Sequence, residues 1–281
     1  MFMSRFAPSP TGRLHLGHAY SAIIARDMAS GNGGRFLLRI EDLDQTRSRP
    51  EFVDGIFEDL RWLGLEWEDP LFVQSQRGGA YAAALERLRE LDLVYPCFCT
   101  RSDIAASLEA PHGARIHYPG TCRGLPDDPR RRAALPHSWR LDAATAVRFA
   151  GLPSWTEVGG HRFNSMPEDL DDVILARKDA PAAYHLACVV DDFESGVTLV
   201  SRGSDLRSST PIQRLLQLLL GLDEPTYLHH PLVAHLDGRR LAKRDLAPTL
   251  DAMRSSGADG RDLALDLSSG KLPLGFTFVE A

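Results

Sequence analysis

The chain has 281 residues, 43% of them hydrophobic and 25% charged, which is the composition of a folded globular protein and excludes a disordered or fibrous one. Its 32 lysines and arginines against 38 acidic residues give a formal net charge of −6, which excludes a uniformly basic surface for non-specific nucleic-acid binding. No stretch approaches the ~18 consecutive apolar residues of a membrane span and no signal peptide is visible, so we expect a cytoplasmic protein without membrane contact.

The first part of the chain predicts alternating strands and helices. Residues 4–8 form a strand candidate that stops at a proline, and the small and apolar residues at 16–29 suit a helix. A second strand candidate at residues 35–40 precedes an amphipathic helix at about 50–63. This order is typical of the βαβ units of a parallel sheet.

The middle of the chain departs from this pattern. Residues 81–91 carry apolar side chains three and four apart and predict a helix. Residues 95–184 then hold three of the four cysteines, a run rich in proline and arginine, and no long periodic element. Such a stretch is typical of an inserted subdomain. Its three arginines at 130–132 stand beside aspartates and predict a solvated loop.

After the insertion the sheet is expected to resume. Residues 187–192 and 197–200 are strand-like, and residues 210–220 predict a strongly apolar helix. Cys188 falls in the first of these runs, so we expect a core residue on a strand. Residues 246–281 are too few for another domain with its own core and are expected to form a short tail.

Two histidines, His15 and His18, stand where the first loop meets the first predicted helix. Three residues apart, they share one helix face at an N-terminus whose free N–H groups and dipole favour phosphate. The pair predicts a phosphate site, although the tetrapeptide alone is equally compatible with two surface histidines.

The residues around this pair resemble a known family. Residues 5–18, RFAPSPTGRLHLGH, are similar to the opening of glutamyl-tRNA synthetases, which ends in the class I HIGH motif. Three more blocks match in the same order, at residues 39–47 (RIEDLDQTR), 184–192 (YHLACVVDD) and 200–206 (VSRGSDL). Four blocks in one order are a specific signal.

This resemblance implies a glutamate site. Glutamate carries two carboxylates and one ammonium group, so its pocket needs guanidinium groups and an acid. By resemblance, Arg5 and Arg202 hold the carboxylates and Glu41 holds the α-amino group. A single arginine is otherwise more often part of a surface salt bridge. The other substrate contacts that the family implies are Ala7, Ser9 and Tyr184.

The second class I signature, usually written KMSKS, corresponds to residues 240–244, RLAKR. The resemblance implies that Lys243 neutralises the phosphates of ATP as pyrophosphate leaves, and that ATP also contacts His15, Gly17 and His18. Ala242 replaces the serine of the pattern, so one hydroxyl contact is lost. Taken alone, these residues predict an ordinary basic loop.

The implied chemistry needs no protein nucleophile. The glutamate α-carboxylate attacks the α-phosphate of ATP in line, while positive groups and Mg²⁺ stabilise the charge that gathers on the phosphates. A hydroxyl of the acceptor then attacks the mixed anhydride, which gives an ester and releases AMP. The catalytic residues in this scheme are His15, His18 and Lys243.

Three cysteines, Cys97, Cys99 and Cys122, predict a metal site because clustered thiolates are soft ligands that suit zinc. The alternative is three reduced, half-buried thiols. A closed tetrahedral site needs a fourth ligand. The resemblance favours Tyr118 for a single structural zinc ion, whereas His112 and His117 are the more ordinary candidates by ligand chemistry.

A complete glutamyl-tRNA synthetase continues past its KMSKS loop into a helical portion that reads the anticodon, and this chain ends soon after Lys243. With its Cys-x-Cys and Tyr-x-x-x-Cys pattern it therefore resembles the short glutamyl-queuosine tRNA(Asp) synthetases. The resemblance implies an α/β fold, with a Rossmann-type class I catalytic domain, an inserted zinc-binding subdomain and no anticodon-binding domain. The expected boundaries are 1–94 and 185–245 for the core, 95–184 for the insertion and 246–281 for the tail.

The implied function is ATP-dependent activation of glutamate and its transfer to queuosine in the anticodon loop of tRNA(Asp), by a monomer. Three alternatives stay open: a truncated ordinary glutamyl-tRNA synthetase, an enzyme that charges a small molecule, and a non-catalytic RNA-binding paralogue. Ala242 suggests the last of these. The retained His15, His18, Glu41 and Lys243 argue against it.

Overall fold

The computed structural model of the protein describes residues 2–100, 102–104, 118–241 and 248–280. Four residues named above lie outside these ranges: His112, His117, Ala242 and Lys243. No helix among the described residues is long and apolar enough to cross a membrane.

The strands in this part of the chain are named in chain order. They are β1 (Met3–Phe6), β2 (Arg35–Ile40), β3 (Glu68–Val73), β4 (Val94–Cys97), β5 (Ser138–Leu141), β6 (Ser154–Thr156), β7 (Arg162–Asn164), β8 (Ile174–Ala176), β9 (Leu199–Gly203), β10 (Thr226–His230), β11 (Leu232–His235) and β12 (Phe276–Val279).

The α-helices are named in the same way. They are α1 (Leu16–Gly31), α2 (Pro50–Trp62), α3 (Gly78–Glu90), α4 (Pro129–Ala134), α5 (Ala143–Ala150), α6 (Tyr184–Glu194), α7 (Thr210–Leu220), α8 (Leu250–Ser255) and α9 (Gly260–Ser268).

Five parallel strands form the central sheet in the order β10, β9, β1, β2, β3. Helix α1 connects β1 to β2, α2 connects β2 to β3, and α7 connects β9 to β10. The strand order therefore reverses between β1 and β9. In open α/β sheets, ligands bind at the carboxyl ends of the strands at such a switch point. The predicted parallel α/β fold is confirmed.

All four predicted helices are confirmed, and one predicted strand is wrong. The arginines at 130–132, predicted as a solvated loop, lie on the short helix α4, which has no buried residue. Helices α1, α2, α3 and α7 occupy the predicted stretches to within a few residues. Residues 187–192, predicted as a strand, belong to helix α6. A short apolar run rich in valine does not distinguish a strand from a fully buried helix by periodicity alone. Cys188 is buried as expected, at 2% exposure, but on this helix.

Helix α1 lies at the centre of the main hydrophobic core. Its buried face includes Leu16, Ala19 and Ile23, and these pack with residues of α2 and of the last segment of the chain. That segment contributes Leu250 and Leu267 to the same core, and β12 pairs with β11 in an antiparallel ribbon. Residues 248–280 therefore pack in the same hydrophobic core as helix α1.

The middle of the chain builds its own small sheets. Strands β4, β5 and β8 form an antiparallel sheet, and β6 and β7 form a separate hairpin. Leu141 and Ala146 of this region pack in a second core with helices α3, α6 and α7. This shared core fixes the middle segment against helices that come before and after it in the chain.

Candidate active site and metal centre

A cavity of about 370 Å³ opens at the carboxyl ends of β1, β2 and β9, which is the switch point of the sheet. All six residues that the resemblance assigns to glutamate line it. Three are charged, and three supply smaller or hydroxyl-bearing surfaces. The six are Arg5, Ala7, Ser9, Glu41, Tyr184 and Arg202.

A buried ionic network lies against this cavity. Asp192 accepts from Arg5 Nε at 2.9 Å and from Arg5 Nη2 at 3.2 Å, and it also accepts from Arg39 Nη1 at 2.5 Å. Asp192 and both arginines are at most 5% exposed. Although burial alone would raise it, the pKa of Asp192 is lowered to about 2 by the charges of Arg39 and Arg5. Asp192 is therefore ionised and holds Arg5 in place.

Arg39 also supports Glu41. Its Nη2 and Nε donate to Glu41 Oε1 at 2.9 and 3.3 Å, and Nη2 lies 3.2 Å from the Cys188 sulfur. Burial raises the pKa of Glu41, and the neighbouring Arg39 charge opposes that shift. Only Oε1 of the Glu41 carboxylate takes these bonds, so the group is positioned at the cavity wall by one oxygen.

Arg202 stands in a different environment. Its guanidinium donates to Gln213 Oε1 at 2.6 Å, to Thr210 Oγ1 at 2.8 Å and to His229 Nε2 at 3.2 Å. Arg202 is 4% exposed, and none of these three partners is a carboxylate. A buried guanidinium without an anionic partner is a strong site for a substrate carboxylate.

A second cavity, of about 310 Å³, adjoins the first. The two share His18, Ser21, Gly203 and Leu206. The second cavity is also lined by His15 and Gly17 and, from a distant part of the sequence, by Arg240 and Leu241. The residues that come just before Ala242 and Lys243 therefore face the same space as the histidine pair.

The histidine pair forms the start of helix α1. His15 is the N-cap residue, its Nδ1 accepts from the Gly17 N–H at 3.2 Å, and the His15 N–H donates to His18 Nδ1 at 3.1 Å. The two rings lie 3.8 Å apart. A Cβ on Gly17 would come within 3.1 Å of the His15 ring, so glycine permits this close packing. The predicted position of the pair at a helix N-terminus is confirmed.

The three clustered cysteines come together around a tyrosine. The sulfur atoms of Cys97, Cys99 and Cys122 all lie within 4.8 Å of one another, and those of Cys99 and Cys122 are 3.6 Å apart. The Tyr118 hydroxyl lies 3.3 Å from the Cys97 sulfur and 3.5 Å from the Cys99 sulfur. Four ligands of a tetrahedral zinc ion with ~2.3 Å bonds stand about 3.8 Å apart, which this cluster fits.

Comparison with known proteins identifies the family of this chain. The family model "tRNA synthetases class I (E and Q), catalytic domain" matches residues 1–276. The chain belongs to this family. This class I synthetase is therefore an ATP-dependent ligase of the aminoacyl-tRNA synthetase type, and the resemblance inferred from the four sequence blocks is confirmed.

Two curated relatives of this class I synthetase are named glutamyl-Q tRNA(Asp) synthetase. The protein of Rhodobacter capsulatus is 46% identical over 93% of this chain and 98% of its own length. That of Nocardia farcinica is 46% identical over 96% and 85%. A solved glutamate tRNA ligase from Elizabethkingia meningosepticum, in complex with its amino acid, matches with a TM-score of 0.80 at 27% identity. The match covers 95% of this chain and 60% of the solved ligase.

Several residues around the cavities were not anticipated from the sequence. Arg39 and Asp192 stand inside the matched blocks, and an acidic pair at the end of an apolar run was the available signal for Asp192. Nothing in the local sequence marks Gln213 or His229, because each reaches Arg202 from a different element of the fold.

Proposed function

We propose that this class I synthetase activates glutamate with ATP and Mg²⁺ and transfers it to the queuosine base in the anticodon of tRNA(Asp). The observation that carries the proposal is the environment of Arg202. Its buried guanidinium has neutral hydrogen-bond partners in the part of the chain that the structure describes, and it lines a cavity that adjoins a second one at the start of α1. A pocket of this kind selects a small molecule with a carboxylate and places it next to a phosphate-binding helix end.

In the proposed complex, Arg202 and Arg5 hold the two carboxylates of glutamate and Glu41 holds its ammonium group. Arg5 keeps N–H groups beyond those that bind Asp192 and the Ser201 carbonyl oxygen, so it can donate to a ligand as well. Ala7, Ser9 and Tyr184 complete the wall of the pocket. Because these groups are held before substrate arrives, little reorganisation opposes binding.

The second cavity would receive the nucleotide. His15, Gly17 and His18 at the α1 N-terminus would bind ATP, and Lys243 would approach the phosphates from the segment that follows Arg240 and Leu241. Mg²⁺ bound with ATP would neutralise phosphate charge. The chain itself would align the glutamate carboxylate with the α-phosphate and stabilise the developing charge. We also propose that the enzyme acts as a monomer.

The relatives support queuosine as the acceptor. Proteins named glutamyl-Q tRNA(Asp) synthetase match this chain at 41–46% identity, and the Rhodobacter capsulatus protein is matched over 98% of its length. An anticodon loop is single-stranded and can present an unstacked base to a pocket. The cyclopentenediol of queuosine supplies the hydroxyl that attacks the glutamyl adenylate.

We further propose that residues 1–94 and 185–245 form the catalytic core, residues 95–184 an inserted zinc-binding subdomain and residues 246–281 a short tail that packs against the core. One zinc ion would be held by Cys97, Cys99, Tyr118 and Cys122. The fit rests on the thiol cluster and on the tyrosine hydroxyl enclosed by it. Zinc here would be structural and would tie β4 to the segment that follows Tyr118.

Replacement of Cys99 by serine should remove this zinc. We expect one zinc ion per wild-type chain by elemental analysis, a much lower content in Cys99→Ser, and a lower melting temperature, because metal binding contributes to folding. Cys188→Ser is the control, since Cys188 lies outside the cluster and should leave the zinc content unchanged. Tyr118→Phe tests whether the Tyr118 hydroxyl is the fourth zinc ligand. Equal zinc in wild type and Cys99→Ser would remove the metal site from the account.

The acceptor is tested with radioactive glutamate, ATP, Mg²⁺ and three RNAs. These are tRNA(Asp) with queuosine, tRNA(Asp) without it, and tRNA(Glu). We expect label only on the queuosine-containing tRNA(Asp). Label on tRNA(Glu) alone would identify an ordinary glutamyl-tRNA synthetase activity and overturn the proposed acceptor.

A further inference from the structure

The Arg202 guanidinium is oriented by a series of hydrogen bonds that leads away from the cavity, from Arg202 to His229 and from His229 to Glu157. Arg202 on β9 and His229 on β10 are direct partners across the parallel strands. Arg202 Nε donates to His229 Nε2 at 3.2 Å, and the His229 side chain has no solvent exposure. This contact fixes the plane of the guanidinium, because Nε is the atom that joins it to the rest of the side chain.

The partners of His229 determine where its proton lies. Arginine Nε can only donate, so His229 Nε2 must be the acceptor and the neutral ring must carry its proton on Nδ1. The Thr210 hydroxyl, 3.1 Å from the same nitrogen, then donates to it as well. His229 Nδ1 lies 2.9 Å from Glu157 Oε1, which accepts that proton's hydrogen bond. Burial and the Arg202 charge lower the pKa of His229 to about 4, against the opposing effect of Glu157. The ring is therefore neutral near pH 7.

Glu157 is itself held in place. Arg207 Nη2 donates to both of its carboxylate oxygens, at 2.9 and 2.8 Å, and the Trp155 indole N–H lies 3.4 Å from Oε1. Although burial opposes the shift, hydrogen bonds from His229 and Arg207 lower the pKa of Glu157. The acid stays ionised, but it is one residue removed from Arg202 and does not neutralise that guanidinium directly.

We propose that Glu157 and His229 are positioning residues for the amino-acid substrate. Glu157 fixes the Nδ1–H tautomer of His229, and the Nε2 lone pair of His229 aims the Arg202 guanidinium at the carboxylate. Because the neutral His229 ring orients the Arg202 guanidinium, the positive charge of Arg202 stays available for glutamate. The inference rests on the proposed function, because it deepens the role of Arg202 in that site.

Two substitutions at one position test this role. His229→Leu removes the acceptor and should raise the KM for glutamate by roughly 10- to 100-fold, the range for a lost buried hydrogen bond to a charged group. His229→Gln places an amide oxygen near the same point and should restore most of the affinity. For both variants we expect kcat and the KM for ATP to change little. The assay is glutamate-dependent exchange of pyrophosphate into ATP.

Tyr227→Phe is the matched control. Tyr227 is buried on the same strand, and its hydroxyl contacts Gln217 at 3.4 Å rather than any partner of the Arg202 guanidinium. This variant should lose some thermal stability and keep the wild-type KM for glutamate. A purely structural role of His229 would make His229→Leu resemble Tyr227→Phe, with an unchanged KM, and the proposal would then be wrong.

The wild-type protein supplies a test that does not depend on how the variants fold. Nitrogen-15 NMR of labelled histidine side chains, with His229 assigned from its loss in His229→Gln, should show protonated Nδ1 and unprotonated Nε2. Protonation on Nε2 would overturn the proposed orientation. Wild-type protein without glutamate-dependent exchange would instead overturn the proposed function, so the two failures are distinct.

Discussion

Replacement of Arg202 by glutamine is expected to lower kcat/KM for glutamate in pyrophosphate exchange by roughly 100- to 3,000-fold. The estimate corresponds to about 3–5 kcal/mol, the cost of removing one partner from a buried, hydrogen-bonded charge pair. Most of the loss should appear in the KM for glutamate, because the guanidinium holds the amino acid before and during the reaction. The KM for ATP should stay near its wild-type value.

Arg214→Gln separates this loss from a general effect of deleting a buried arginine. Arg214 is also 4% exposed, but it pairs with Glu224 and Gln217 and lines neither cavity. It should lower the melting temperature and leave the KM for glutamate unchanged. If both arginine variants raised that KM equally, the special role of Arg202 would be lost.

Replacement of Lys243 by alanine is expected to slow adenylate formation by roughly 100- to 1,000-fold without loss of the fold. The reason is electrostatic, because a charge aimed at the developing phosphate charge stabilises the transition state more than the bound substrates. Single-turnover formation of glutamyl adenylate in a quenched-flow experiment measures this step. The melting temperature should match that of the wild type.

Lys271→Ala is the control for Lys243→Ala. Lys271 is largely exposed and lies 3.9 Å from an Asp266 carboxylate oxygen, away from both cavities. It should keep the full rate of adenylate formation. An unchanged rate in Lys243→Ala would mean that residues 240–244 do not act as the second class I signature.

The sequence predicted the helices well where capping residues and an amphipathic pattern mark their ends and faces. Helix α1 begins at the histidine pair because His15 and His18 satisfy its first N–H groups, and α7 begins with a proline in its first turn and ends at Gly221, which has positive φ. The same rules did not identify α6. Its apolar run is buried on most faces, so the amphipathic pattern that normally marks a helix is missing.

The sequence also predicted which residues meet at the cavity, but not how they are held. Motif matches placed Arg5, Glu41 and Arg202 at one site, and all three line the same cavity. The bonds of Asp192 to Arg5 and of His229 to Arg202 join residues that are 187 and 27 positions apart. Such pairings depend on strand order and register, which no local pattern specifies.

Glutamate-dependent exchange of labelled pyrophosphate into ATP by the wild-type chain, with aspartate and glutamine as comparison substrates, shows directly whether the cavity activates glutamate. We predict exchange with glutamate and little with the other two, because the pocket offers a carboxylate the Arg202 guanidinium, whose hydrogen-bond partners among the described residues are neutral. Exchange with glutamine equal to that with glutamate, or no exchange with any of the three, would contradict the account.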